Sequence, residues 1–238
     1  MKSVYRLQDV VLRYRARNDD KGAVTSALQD VTLDVHRGEL LAIVGHSGSG
    51  KSSLLQVMAG LTSPDDGSVM FYPPEGEPLP LHELSEDERA VTRRMHIGFI
   101  YQSFNLVDTM TAAENVALPL LFGGVPLRDR DARARDMLGQ LGLGEKHSRY
   151  PYELSGGEQQ RVAIARALVA NASVILADEP TGSLDSKSAN AVIDTIRRQH
   201  AELGTTTVLV THDPAIADRT QRRIELRDGS IVSGGSHK

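Results

Sequence analysis

The sequence contains no cysteine and no tryptophan. The first absence excludes disulfides, thiol nucleophiles, Cys-ligated zinc and palmitoylated cysteine. It also suits a reducing compartment such as the cytoplasm. Aromatic residues make up only 4% of the chain, and long apolar runs are missing. The richest stretch, Val116 to Leu127, is broken by Pro119, Gly123, Gly124 and Pro126. That falls short of the roughly 20 apolar residues needed to span a bilayer. The opening Met1-Lys2-Ser3-Val4-Tyr5-Arg6 has no apolar core and no small-residue cleavage site, so no signal peptide is expected. Surplus positive charge is absent as well: the net charge is −4 with histidines neutral. Duplex binders draw most of their affinity from phosphate neutralisation and are usually basic, so nucleic acid is not an expected partner.

What remains is an ordinary globular composition, with 40% hydrophobic and 24% charged residues in 238. A chain of this size buries roughly 70–75% of its unfolded surface and needs no metal or disulfide to hold it. Val4–Tyr14 and Ala27–Val35 alternate apolar and polar residues, which predicts two strands joined by the polar link Asn18–Gly22. Leu40–Val44, Ile97–Tyr101, Ser173–Ala177 and Thr206–Val210 are short apolar runs of the kind buried on both faces of a parallel sheet. Helical patterns separate them at Lys51–Ala59, Glu86–Met95, Arg128–Leu141, Gly157–Ala170 and Ser186–Leu203. Strands alternating with helices predict an α/β fold. The stretch from Ser103 to Tyr152 shows helices without a strand and reads as a helical insertion. Ser233–Lys238 reads as a frayed tail.

Gly45-His46-Ser47-Gly48-Ser49-Gly50-Lys51-Ser52 fits G-x-x-x-x-G-K-[ST] and directly follows an apolar strand. Glycines let backbone N–H groups wrap a phosphate closely as an anion nest. Lys51 can neutralise β- and γ-phosphate oxygens. The Ser52 hydroxyl can ligate Mg²⁺, and the helix N-terminus adds its dipole, with Ser53 beside it. Asp178 and Glu179 follow the apolar strand Val174–Ala177. Asp178 is suited to support the metal, and Glu179 to activate a water at the γ-phosphate. Gln102 and His212 also close buried strands, and ligands gather at such strand ends. Gln102 could touch Mg²⁺ or the attacking water, and His212 could bond the γ-phosphate. A second glycine-rich helix start, Leu154-Ser155-Gly156-Gly157-Glu158, carries a capping box from Ser155 to Glu158. Capping does not require Gly156 and Gly157, which lower helix propensity. Close approach of a ligand, held by another subunit, would explain them.

Together these motifs resemble the ATP-binding cassette (ABC) ATPases over residues from about 5 to 230. Gly45–Ser52 is similar to the family's Walker A motif, Val174–Glu179 to its Walker B, and Leu154–Gln160 to its signature motif. Gln102 matches the Q-loop glutamine, Ser183-Leu184-Asp185 the D-loop, and His212 the switch histidine. Tyr14 stands where the family's adenine-stacking aromatic lies.

The resemblance implies a P-loop NTPase (RecA-like) core with an N-terminal antiparallel β subdomain and an inserted helical subdomain, in a single ABC ATPase domain over 1–238. The core would take about 1–102 and 154–232, the insertion about 103–153, and the tail 233–238. It implies ATP and Mg²⁺, and a head-to-tail dimer with two ATPs between the P-loop of one copy and Ser155-Gly156-Gly157 of the other. Glu179 would be the general base, with His212 and the partner copy's D-loop acid, equivalent to Asp185, organising the closed site.

Gly98–Leu106 and Thr111–Leu120 are similar to the branch that serves lipoprotein release, macrolide and antimicrobial-peptide export, and cell-division membrane complexes. The implied partner is an integral membrane permease subunit, which would hold the chain at the inner face of the membrane. Phe104, Leu106, Val107 and the Val116–Leu127 segment would line the docking groove, or else form the insertion's own core. Two other readings are a cell-division type complex that transmits force without moving a substrate, and a soluble ABC ATPase.

Overall fold

The computed structural model describes residues 2–15, 24–182 and 184–236. The expected link at 18–22 therefore lies outside the described residues. In chain order the first elements are β1 (Ser3–Arg15), β2 (Val24–His36), β3 (Leu40–Val44), α1 (Lys51–Met58), β4 (Asp66–Phe71), β5 (Leu79–Pro80), α2 (Glu86–His96) and β6 (Ile97–Ile100). Then come α3 (Ala112–Phe122), α4 (Leu127–Gln140), α5 (Gly156–Leu168), β7 (Val174–Asp178) and α6 (Ser186–Leu203). The chain closes with β8 (Thr206–Val210), α7 (Pro214–Ala217), β9 (Arg222–Arg227) and β10 (Ser230–Ser236). Among the described residues, no helix is long and apolar enough to cross a membrane.

The chain forms two compact units, one from 1–93 with 210–238 and the other from 94–209. In the first, β2, β1, β4 and β5 form an antiparallel sheet in that order. The pairing Tyr5↔Val35 and Leu7↔Leu33 keeps both strands' apolar residues in the core, where Tyr5 also packs on Phe71 at 5.1 Å between ring centroids. In the same unit β3 pairs parallel with β9, and β9 antiparallel with β10 across a turn at Asp228-Gly229. Every residue of β3 except Val44 is buried, as its unbroken apolar run predicts.

In the second unit β6 and β7 pair in parallel with Ile97 opposite Val174 and Ile100 opposite Ala177. Gly98 sits where any Cβ would lie 2.4 Å from the Ala167 carbonyl oxygen, so only glycine lets α5 lie this close to β6. Helix α3 begins at a capping box formed by Thr111 and Glu114, and it continues through Pro119. The Glu114 carboxyl is held below its ordinary range by the Thr111 backbone N–H and hydroxyl.

The observed elements depart from the sequence-based expectation at several points. Strand β10 runs through Ser233–Ser236, part of the expected tail, because these residues pair with Arg222–Glu225 of β9. Strands β4, β9 and β10 carry little apolar signal of their own: in β9 only Ile224 and Leu226 face the core. Helices α3 and α4 belong to one compact unit with α5, α6 and strands β6 and β7.

Candidate functional site

Strand β3 ends at Val44, and the loop 45–50 turns directly into α1. A Cβ on Gly45 would lie 2.2 Å from the Leu226 carbonyl oxygen, and one on Gly50 would lie 2.3 Å from that of Ala27. Gly50 also has φ 100°, a conformation that costs other residues dearly. Gly48, at φ 78°, faces open space. The loop is thus pressed against the β-strands on one side and open on the other, and His46, Ser47 and Gly48 are exposed. Ser49 is fully buried, with its hydroxyl inside the loop. Its backbone is engaged as well: the Ser49 N–H donates to the His46 carbonyl oxygen (3.2 Å), and the Ser49 carbonyl accepts from the Gly229 N–H (3.1 Å).

Lys51 reaches back into the loop and donates from Nζ to the carbonyl oxygens of Gly45 (2.9 Å) and His46 (2.8 Å). It is only 6% exposed. A buried ammonium held by neutral carbonyls calls for an anion, because desolvating a charge without a counter-charge is costly. Helix α1 has no side-chain cap, so its first N–H groups are not claimed by a local side chain. Phosphate fits this cradle in charge, in size and in hydrogen-bond donors.

Two more expected residues lie in the same unit. The Tyr14 hydroxyl donates to Gln56 Oε1 (3.4 Å) and lies 3.5 Å from Ser53 Oγ, which places the ring beside the first turns of α1, 44% exposed. The Thr211 N–H donates to the carbonyl oxygen of Ile43 (3.2 Å). That bond brings His212, which is exposed, to the end of β3 where the loop starts. His46, on the loop's rim, pairs with Asp228 at 3.5 Å.

The second unit gathers the remaining residues. The register Ile100↔Ala177 sets Gln102 and Asp178–Glu179 beyond the same ends of two paired strands. Asp178 is buried, and Glu179 adopts φ 45°, a left-handed conformation that non-glycine residues seldom take. Strained backbone of this kind concentrates at functional sites.

Ser155 caps α5 as the sequence predicts, with the Ser155 N–H donating to Glu158 Oε2 and the Glu158 N–H to Ser155 Oγ. Lys146 pairs with Glu158, and with the cap it holds that carboxyl below its ordinary range. Ser155 and Gly156 are exposed. A Cβ on Gly156 would meet only Phe104 Cζ, at 3.7 Å, and one on Gly157 the Leu184 side chain, at 3.3 Å.

Asp185 caps α6, taking the Ser188 N–H on Oδ1 (3.0 Å) and the Ser188 hydroxyl on Oδ2 (2.7 Å). These bonds hold its carboxyl below the ordinary range. Of the expected D-loop, Ser183 lies outside the described residues.

Two arginines were not foreseen. Arg166 of α5 donates to the carbonyl oxygens of Phe104 (2.9 Å) and Asn105 (2.6 Å), and so fixes the segment after Gln102 to the helix that Ser155 starts. Arg161, also on α5, donates to Ser188 Oγ (3.1 Å) and so reaches the cap of Asp185. Arginines in a helix otherwise read as surface charge or as dipole complement near the C-terminus, and nothing local marks these two.

Residues 28–182 match a protein-family model described as ABC transporter. The lipoprotein-releasing system ATP-binding protein LolD of Shewanella denitrificans is 46% identical over 219 residues, covering 92% of this chain and 92% of the relative. The macrolide export ATP-binding/permease protein MacB of Bradyrhizobium diazoefficiens is 48% identical over 208 residues. That match covers 87% of this chain, which spans only 31% of the length of that relative. Among solved structures, the ATP-binding cassette MJ0796, described as a post-hydrolysis dimer bound to ADP and Pi, superposes with a TM-score of 0.90 at 38% identity. The superposition covers 98% of this chain and 99% of the other.

Proposed function

We infer what this chain does from one premise: it belongs to the ABC transporter family. We read it as an ATP-binding subunit with ATPase activity, which its relatives and the family fold support. The observation that carries the assignment to particular residues is the ammonium of Lys51, buried inside a loop whose packing demands glycine at 45 and 50.

We read the residue roles as follows. Backbone N–H groups of 45–52 and the Lys51 ammonium hold the β- and γ-phosphates, and Tyr14 stacks on the base. A magnesium ion, which would neutralise charge between the β- and γ-phosphates, would be held by Ser52 with Gln102 and Asp178. Glu179 takes the proton of a water whose oxygen attacks the γ-phosphorus; the bond to the β–γ bridging oxygen breaks and ADP leaves. His212 donates to the γ-phosphate and holds its charge in place.

Two copies close head to tail, each presenting Ser155-Gly156-Gly157 to the nucleotide of the other. Support comes from the exposed glycine-rich start of α5, whose own surroundings leave room for a side chain at Gly156. It comes also from related cassettes solved as dimers. Closure that depends on a γ-phosphate is a population shift driven by ATP. We propose that it drives a membrane permease at the inner face of the membrane. The relatives' names point to export or lipoprotein release: one names a releasing system, the other an ATP-binding/permease protein.

The test is Glu179→Gln. Its ATPase rate should fall by about 10²–10⁴-fold, the contribution of a positioned general base. Light scattering should show an ATP-dependent dimer. A variant that turns over normally and stays monomeric with ATP overturns this reading.

A further inference from the structure

Immediately before Ser155 the chain displays two stacked aromatic rings. Tyr150 and Tyr152 lie 5.6 Å apart between centroids with an interplanar angle of 5°. Tyr152 is 77% exposed, the most exposed of the large hydrophobic side chains described. With so few aromatics in the chain, a water-facing pair needs a reason.

The pair is not on a floppy loop. Residues 151–153 form one 3-10 turn, with Pro151 buried between the two tyrosines. The Tyr150 N–H donates to Glu153 Oε2 (2.8 Å), and Arg149 pairs with Glu153 Oε1 (2.9 Å). Gln159 of α5 donates to the carbonyl oxygens of Pro151 (3.0 Å) and Leu154 (3.1 Å). Each of these bonds ties the turn to itself or to the helix that Ser155 begins. A planar surface fixed in advance loses little entropy on binding a flat ligand.

We propose that Tyr152, backed by Tyr150, stacks on the purine base of the nucleotide carried by the second copy. This rests on the head-to-tail reading above. Tyr152 is three residues from Ser155, at most about 10 Å along the chain. A triphosphate held at Ser155 extends its ribose and base over a similar distance. The base would then lie between Tyr14 of its own copy and the tyrosine pair of the other, so base identity would be sensed a second time on closure.

The experiment uses Glu179→Gln with ATP and measures the dimer dissociation constant by analytical ultracentrifugation. Adding Tyr152→Ala should weaken the dimer on the order of a hundredfold, about tenfold for each of the two base–aromatic stacks lost. Tyr152→Phe should restore it and Tyr152→Leu should not. Binding of ADP to the monomer should be the same in all variants. With CTP, whose smaller base stacks less, the Tyr152→Ala penalty should shrink. An unchanged dimer in Tyr152→Ala, or a penalty equal for ATP and CTP, overturns the proposal. If Glu179→Gln alone fails to dimerise, the head-to-tail reading falls first and takes the proposal with it.

Discussion

The chain has two glycine-rich helix starts, and they are built on opposite plans. At α1 the glycines are demanded from within: Gly45 and Gly50 are pressed against the carbonyls of Leu226 and Ala27, and no side chain caps the helix. At α5 the cap is complete, with Ser155 and Glu158 bonded reciprocally, and Gly156 has space for a methyl group. At the first start packing demands glycine at 45 and 50, and no side chain claims the first N–H groups of the helix. The second satisfies itself locally yet keeps Gly156, where its fold leaves room for a side chain, which suits a surface that something else approaches.

The contrast predicts unequal penalties. Gly50→Ala should be the most severe, because the clash with the Ala27 carbonyl and the positive φ act together. We expect more than about 2 kcal/mol of lost stability by urea unfolding, with nucleotide binding abolished. A variant that folds and binds ADP normally breaks the first half of the comparison.

Gly156→Ala should split stability from function. The folded monomer should keep its stability, with a gain of at most about 0.5 kcal/mol at this first helical position, and still bind ADP. Its ATP-dependent dimerisation and ATPase activity should be lost. If unfolding shows a large loss of stability instead, the glycine is structural after all and the two starts are alike.

Ser155→Ala should cost the fold about 1 kcal/mol, the usual worth of an N-cap. Stability also carries an acid dependence at this cap. Glu158 has a depressed pKa in the folded chain, so its contribution is present above the ordinary carboxylate range and is lost as pH falls through the folded value. Glu158→Gln should flatten that part of the pH profile, measured by chemical denaturation between neutral and acid pH. An unaltered profile would mean that neither the Lys146 pair nor the box contributes.

Much of the site is legible in the sequence, for identifiable reasons. Gly45–Ser52 and the Ser155–Glu158 box are contiguous, and their backbone requirements show directly in residue type. The apolar runs of β3, β7 and β8 show because burial on both faces needs no partner to be recognised. Strands β9 and β10 were not legible: the former has only two core residues, and the latter ends in Ser-Gly-Gly-Ser and exists through its pairing with β9. Arg166 and Arg161 escaped for the same reason, since each acts through a residue far along the chain.

The sequence by itself determined the chemistry on offer: a phosphate cradle with its lysine, an acidic pair after a buried strand, and a capped helix with spare glycines. These are local properties, fixed by side-chain type and by backbone freedom over a few residues. Only the tertiary structure decided which glycine is obligatory. The oxygen atoms that crowd Gly45 and Gly50 come from Leu226 and Ala27, and nothing near Gly156 crowds it in the same way. It also decided that Ser49 turns inward, that Glu179 is held at φ 45°, and that Arg166 ties the Gln102 segment to α5. Such outcomes depend on which distant backbone the fold brings within a few ångströms, and packing sets that distance.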